Sequence, residues 1–367
     1  MKRIGIDARL YSQTGVGTYL KNLIYYLEKK DLKDKSIYVY LLPEDYKRLT
    51  FKNKKIIKRK VFSRWHTVGE QINFAWRLYF DNLDVMHFTY FSYPVLYLKK
   101  FVATVHDITP LIFKTGKAST KNNFIYNLKH LFFRIILRCQ IERASRIITP
   151  TLTVKTQLEK IYGKKISEKI SPIYEGVNYQ MINSKENKSL SKKFNDFFIY
   201  VGNFYPHKNV ERLIRAFSGV ITSSKLLLLG PNDFFKNRLD KLIGELKQEK
   251  RILFVNGSKT EDIVFFYKNA RALIHPSLSE GFGLPLIEAS YFACPIIASN
   301  IQVFKELLEN NYLSFDPNDS GDIAIKIKYF IDKKPKFNFD DITKKYSFKK
   351  MTDKTFEIYQ EVLSSNI

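Results

Sequence analysis

A-L-I-H-P-S-L-S-E-G-F-G-L-P-L-I-E-A, residues 272–289, holds three signals in one line. A short apolar run, Ala272 to His275, ends at Pro276 and fits a buried strand. A loop with Gly281 and Gly283 follows, and a helix begins near Leu284. Two carboxylates, Glu280 and Glu288, stand eight positions apart, one before the helix and one just over a turn inside it. Free N–H groups and the helix dipole favour an anion at such a helix start. Glycine at 281 and 283 lets the backbone come close to a ligand. On this reading the loop takes a diphosphate, Glu288 accepts hydrogen bonds from ribose hydroxyls, and Glu280 accepts them from a sugar. A strand-turn-helix connection with two solvated glutamates fits the same spacing.

The same order of strand, turn and helix recurs elsewhere. Tyr200 to Asn209, Y-V-G-N-F-Y-P-H-K-N, puts Lys208 near a helix start, where a cation is unfavourable unless an anion compensates it. G-I-D-A-R-L-Y-S-Q-T-G-V-G-T-Y at the N-terminus places Gly15 and Gly17 in a loop before a helix. It lacks the G-K-S/T of a P-loop and the full G-x-G-x-x-G of a dinucleotide site. Thr104 to Pro110, T-V-H-D-I-T-P, puts His106 and Asp107 directly after a strand, as a catalytic pair or as a cap.

Strands are expected at Arg3 to Asp7, Ser36 to Leu41, Lys55 to Val61, Asp84 to Phe88, Phe101 to Val105 and Arg146 to Thr149. After a polar stretch the alternation restarts, with strands at Phe197 to Gly202, Lys225 to Leu229, Ile252 to Asn256, Ala272 to His275 and Pro295 to Ser299. Helices fit between them; Val16 to Lys29 puts Leu20, Leu23, Ile24 and Leu27 on one face, and Thr151 opens another. The pattern predicts an α/β chain with two parallel sheets, whose ligands bind beyond the strands' carboxyl ends. The expected boundaries are 1–178 for a first domain, 179–195 for a linker, 196–346 for a second domain, and 347–367 for a terminal helix.

Of 367 residues, 45% are hydrophobic, including 30 Phe and 23 Tyr, so the chain folds despite a net charge of +25. Two cysteines cannot form a disulfide framework. The apolar stretch before Asp7 is too short for a signal-peptide core, and no run is long enough to span a bilayer, which predicts a cytoplasmic protein. The charge is lopsided: 33 basic and 14 acidic residues up to Asn178, against 28 and 22 after it. Lys121 to Arg146 combines cations with Phe124, Ile125, Leu128, Leu131, Phe132, Ile135, Ile136 and Cys139 near helical spacing. That helix either lies on anionic lipid or turns these residues into the core. The six His are isolated, with no H-x-x-x-H, C-x-x-C or D-x-D pair, so no metal site is expected.

In order along the chain, T-G-V-G, H-D-I-T-P, T-P-T-L-T-V-K-T, Y-E-G-V-N, Y-V-G-N-F-Y-P-H-K-N, L-L-L-L-G and H-P-S-L-S-E-G-F-G-L-P-L-I-E-A resemble the family-4 retaining glycosyltransferases. The last of these is similar to the family's E-x7-E signature. The resemblance implies a GT-B fold, two Rossmann-like domains with parallel sheets facing a central cleft, and metal-independent transfer of a hexose from a nucleotide-sugar with retention. The wording of the motifs looks most like bacterial mannosyl- or rhamnosyltransferases of surface polysaccharide, and the resemblance makes 1–178 an acceptor-binding and 196–346 a nucleotide-sugar-binding Rossmann-like domain, with the 347–367 helix packing back on the first. It assigns His106, Glu280 and Lys208 to catalysis. Glu288, Gly281, Phe282, Gly283, Leu284, Asn203 and His207 bind the donor, and Gly15, Gly17 and Asp107 lie on the acceptor and phosphate side. Asn203 stands where many members carry Arg, and His207 is expected to replace part of that donor capacity. No cofactor is implied beyond a GDP-, UDP- or dTDP-linked sugar as substrate. The expected partners are a polyprenyl-diphosphate-linked or other glycan acceptor and an anionic membrane surface met through the N-terminal domain. A nucleotide-sugar epimerase of the same fold is one alternative, and a basic nucleic-acid-binding protein is another, although no reading module for nucleic acid is present.

Overall fold

A computed structural model describes residues 1–112, 123–256 and 259–365. The chain forms two compact units, Met1–Glu175 with Phe348–Ile367, and Gly176–Ser347.

In the first unit, β1 (Lys2–Asp7), β2 (Lys35–Leu41), β3 (Ile56–Lys60), β4 (Val85–Phe88), β5 (Phe101–Thr104), β6 (Arg146–Thr149) and β7 (Ile170–Pro172) make one parallel sheet in the order β3-β2-β1-β4-β5-β6-β7. In the second, β8 (Phe197–Val201), β9 (Lys225–Leu229), β10 (Ile252–Val255), β11 (Leu273–His275), β12 (Ile296–Ser299) and β13 (Leu313–Phe315) make another, ordered β10-β9-β8-β11-β12-β13. Both sheets reverse direction at their first strand, and such a switch point opens a crevice at the carboxyl ends. The expected strands all form. The additions, β7 and β13, are three-residue strands at sheet edges.

The helix Val16–Glu28 buries Leu20, Leu23, Ile24 and Leu27, as its spacing requires. Thr151 Oγ1 accepts from the Val154 amide and caps the helix Leu152–Tyr162. The terminal helix Phe348–Ser364 packs on the helix Val16–Glu28 and on β4, β5 and β6. Its Tyr359 hydroxyl lies 2.6 Å from His87 Nδ1, and His87 Nε2 lies 2.7 Å from Thr104 Oγ1. Burial drives His87 down to about 3, so the ring is neutral and serves as a hydrogen-bonding strut.

The stretch expected as a linker is built into the second unit. It contains the short helix Tyr179–Ile182 and a helical turn, Lys188–Lys192. Asn187 Nδ2 donates to Asp262 Oδ1 at 2.8 Å, and Asn269 Nδ2 donates to Glu186 Oε2 at 3.0 Å. Its polar composition supplies hydrogen bonds to the helix Thr260–Asn269, where a linker would leave those groups in solvent.

The helix Asn123–Arg143 resolves as a mixture of the two readings offered for it. Leu137 and Ile141 are buried, and Phe133, Ile136 and Cys139 pack against the core, while Leu131, Phe132 and Ile135 are exposed. Ile136 and Cys139 are therefore half-buried at the edge of the core. The side chains of Phe124, Ile125 and Leu128 lie outside the described residues. No helix among the described residues is long and apolar enough to cross a membrane.

Candidate active site

In the second unit, the turn after β8 and the loop after β11 are tied together by backbone and amide bonds. The Leu278 amide donates to the His207 carbonyl at 2.8 Å. Asn209, in the left-handed conformation with φ 60°, donates through Nδ2 to the carbonyls of Pro276 (3.0 Å) and Pro317 (2.7 Å). These ties bring Lys208 to Glu280, 72 positions away. Lys208 Nζ lies 2.7 Å from Glu280 Oε1, which also accepts from Ser277 Oγ at 2.8 Å and sits 3.0 Å from His275 Nε2. Burial alone would raise Glu280. The Lys208 charge, with help from His275, reverses this and holds the carboxyl well below the usual carboxylate range. Burial lowers His275.

The helix Leu284–Tyr291 starts directly after this cluster. Gly283 precedes it at φ 92°, where a Cβ would also approach Phe304 to 3.0 Å, so only glycine fits without strain. No side chain caps this helix start, which leaves the position opposite its first amides to a ligand. Phe282 is buried edge-on to Tyr346, Gly281 is buried, and Leu284 is half-buried. Packing of Phe282 against Tyr346 thus helps to hold the backbone around Gly281 to Leu284.

Glu288 lies on the same helix with a different partner. Tyr267 donates its hydroxyl to Glu288 Oε2 at 2.8 Å. Burial pushes Glu288 up to about 7, and the Tyr267 hydrogen bond offsets only part of that rise. Of the two carboxylates in the spaced pair, one is therefore locked as an anion and the other is poised to titrate near neutrality.

Beside Asn203, His207 brings no positive charge in place of the arginine. Burial, then the Lys208 charge, lowers His207 to about 4, so at neutral pH it carries no charge to offer a phosphate. Asn203 accepts the Tyr200 hydroxyl at its carbonyl (2.5 Å), and its Oδ1 is buried without a protein partner. Lys208 is the cation of this cluster.

In the first unit, Gly15 (φ 67°) precedes the helix Val16–Glu28, and a Cβ on Gly17 would come within 2.7 Å of the Tyr11 carbonyl oxygen. Tyr19, one turn into that helix, packs edge-on to His106 at 4.8 Å, so the glycine loop and His106 are brought together. His106 Nε2 lies 3.0 Å from the Thr89 carbonyl, and Nδ1 lies 3.3 Å from Glu175 Oε1. With one nitrogen against the Thr89 carbonyl and the other against Glu175, the ring is held in place between protein groups. Asp107 accepts from the Thr109 amide at 2.6 Å, a helix-capping bond.

A buried ion cluster braces this end of the sheet. Arg9 donates to Asp7 Oδ2 and Glu70 Oε1, each at 2.6 Å, to Ser92 Oγ at 3.0 Å and to the Ser63 carbonyl at 3.2 Å. Glu70 also accepts from Ser92 Oγ.

The family model for "Glycosyl transferases group 1" matches residues 181–349. The O-antigen chain mannosyltransferase RfbU of Salmonella typhimurium is 30% identical over 294 residues, covering 79% of this chain and 76% of that protein. The chain belongs to the group 1 glycosyltransferases. Among solved structures, the sucrose-phosphate synthase of Thermosynechococcus elongatus superposes with a TM-score of 0.79 at 16% identity, covering 99% of this chain and all of that one. Anabaena HepE, solved with UDP and glucose, gives 0.77 at 17% identity over 98% of this chain and all of that one. The fold of this glycosyltransferase is GT-B.

Four residues of the glycosyltransferase's candidate site lie outside the set chosen from sequence: His275, Ser277, Tyr267 and Glu175. Glu175 sits in the quoted Y-E-G-V-N and His275 heads the decisive loop, so position relative to a motif offered a signal. Tyr267, in the middle of an apolar helix, offered none.

Proposed function

We propose that this glycosyltransferase is a retaining, metal-independent hexosyltransferase, moving mannose or rhamnose from a nucleotide-sugar to a lipid-linked or growing polysaccharide acceptor at an anionic membrane face. The observation that carries the reading is the Lys208–Glu280 pair beside an uncapped helix start, with Glu288 one turn further along. Mannose is supported by the RfbU relationship, and a GDP-linked donor follows as the first to test, ahead of UDP- and dTDP-linked sugars.

Glu288 accepts the ribose hydroxyls. The diphosphate lies against the first amides of the helix Leu284–Tyr291 and draws on Lys208, whose charge Glu280 balances in the free site. Glu280 and the amides around Phe282 and Gly283 hold the sugar. The bond between the anomeric carbon and the phosphate oxygen breaks, and its electron pair leaves with the diphosphate. The acceptor oxygen bonds the same face of that carbon and passes its proton to the departing phosphate. The protein contributes positioning and preorganised positive charge opposite the leaving group. His106, fixed between Thr89 and Glu175, positions rather than deprotonates. Gly15, Gly17 and Asp107 belong to the acceptor side. An excess of 19 positive charges up to Asn178 supports an anionic lipid environment for the acceptor.

The test is transfer of labelled mannose from GDP-mannose to a polyprenyl-diphosphate-linked glycan, with and without EDTA. Undiminished transfer with the donor's anomeric configuration kept is expected. Abolition by EDTA, inversion, or conversion of the donor without acceptor refutes the reading.

A further inference from the structure

The helical segment before β4 shows an unusual exposure pattern. Glu70–Phe74 winds as a wide π-type turn and continues as the α-helix Ala75–Phe80. Phe74, Ala75 and Leu78 are buried against the sheet. The outer face is not polar: Val68, Ile72, Trp76 and Phe80, each four residues on, are exposed, Trp76 at 75% and Phe80 at 80%. Leu96 and Leu98 add to it, at 66% and 73%. The loop bearing them is stapled to the same helix, because Tyr79 donates its hydroxyl to the Leu96 carbonyl and accepts from the Leu98 amide, both at 2.9 Å. Gln71 adds bonds to the Tyr93 carbonyl (3.1 Å) and the Val95 amide (2.8 Å). A contiguous exposed apolar patch held this firmly marks a contact surface.

Charge selects the occupant. Between Asp45 and Asp84 the sequence holds ten Lys and Arg and only two acids, Glu70 and Asp81. Both acids are buried, Glu70 on Arg9, and Asp81 on Arg59 and Arg77. From Val85 to His106 there is no acid at all, and Lys99 and Lys100 follow Leu98 directly. A second copy of the chain would bring the same cations against these. Side chains as exposed as Trp76 and Phe80 project from the surface instead of lining a groove, which suits a fluid phase more than a shaped protein partner. We propose that Val68, Ile72, Trp76 and Phe80, with Leu96 and Leu98, form the surface by which this chain inserts into the headgroup region of an anionic bilayer. Arg64, Arg77 and Lys99 meet the lipid phosphates, their stems covering the apolar border. The inference rests on the membrane-facing acceptor proposed above, but it places the insertion on the Trp76 stripe and not on the helix Asn123–Arg143, for which lipid contact was one of two readings.

The full chain carrying Trp65→Phe leaves Trp76 as its single tryptophan. With vesicles of phosphatidylglycerol and phosphatidylcholine at low salt, Trp76 emission shifts to the blue and is quenched by brominated acyl chains. With pure phosphatidylcholine vesicles both effects shrink at least tenfold. In flotation, Trp76→Ala/Phe80→Ala lowers recovery with anionic vesicles at least tenfold, while transfer to a water-soluble acceptor fragment is unchanged. Three results overturn the proposal: failure of the wild-type chain to float with anionic vesicles, flotation with Trp76 unquenched, or sedimentation showing a dimer that Trp76→Ala/Phe80→Ala dissociates. Donor binding, measured separately by thermal stabilisation, keeps a failure here distinct from a failure of the transferase reading.

Discussion

Replacing Glu288 by Gln removes the one site carboxyl that titrates near neutral pH, and the consequence for donor binding follows from the structure. Burial raises Glu288 from 4.5 to about 7, which amounts to about 3 kcal/mol in favour of the protonated form. A protonated carboxyl beside the Tyr267 hydroxyl has lost one of its acceptor positions, whereas a ribose diol needs the carboxylate. Donor binding therefore expels a proton from the free enzyme. Below about 7 the nucleotide must provide the free energy of ionisation, and above it the site is already prepared. The ionised fraction rises about tenfold between pH 6 and pH 8, so the dissociation constant at pH 6 is about ten times that at pH 8. Isothermal titration calorimetry in buffers of different ionisation enthalpy counts the protons directly. About 0.9 proton leaves per nucleotide bound at pH 6, and about 0.1 at pH 8. Glu288→Gln abolishes the pH dependence and weakens binding at pH 8 by about 1.5–3 kcal/mol, the range for a charge-assisted hydrogen bond. The same shift acts on folding. Because the folded pKa is the higher, the stabilisation it confers is complete below the unfolded value near 4.5 and is lost as pH rises through about 7. Glu288→Gln flattens that decline. A wild-type affinity constant from pH 6 to pH 8, with no proton released, refutes the reasoning.

Other consequences are equally specific. Lys208→Ala strips Glu280 of the charge that holds it low, so transfer falls at least about a hundredfold, the scale of losing one electrostatic contact to the leaving group, while circular dichroism stays native. Gly17→Ala drives a Cβ to within 2.7 Å of the Tyr11 carbonyl, and the resulting loop shift shows as lost transfer with donor affinity unchanged. Arg9→Met leaves Asp7 and Glu70 buried without their cation, at a cost of about 3–5 kcal/mol, and differential scanning calorimetry should record a fall in Tm of about 10 °C.

The strands legible in the sequence are apolar or β-branched runs set off by polar, Gly or Pro residues, Phe197–Val201 and Lys225–Leu229 most plainly. Ile170–Pro172 and Leu313–Phe315 were missed because each is a short edge strand with a polar residue in its middle, defined by the neighbour it joins, whereas the equally short Leu273–His275 is apolar and heads the Gly-bearing loop. The carboxylate pair was legible because its spacing along a strand, loop and helix is local. Its electrostatics were not. Lys208 reaches Glu280 only through the Asn209 and Leu278 ties, and Glu288 owes its raised pKa to the buried pocket around Tyr267. The Trp76 stripe escaped notice for the opposite reason. I-N-F-A-W-R-L-Y-F is apolar on several sides, which in sequence reads as core, and only exposure separates the packed Phe74 and Leu78 from the projecting Trp76 and Phe80. The polar 179–195 stretch misled in the same way, since composition cannot tell hydrogen bonds to solvent from hydrogen bonds to a neighbouring helix.

The central claim is that the second unit holds a nucleotide-sugar through Lys208, Glu280 and Glu288 and that the chain transfers its hexose with retention. The most direct measurement incubates GDP-mannose, labelled at the anomeric carbon, with a polyprenyl-diphosphate-linked acceptor and the wild-type, Lys208→Ala or Glu288→Ala chain, and reads the product linkage by NMR. The account predicts an α-linked product from the wild-type chain and none from either folded variant. Wild-type turnover in either variant, or a β-linked product, contradicts it.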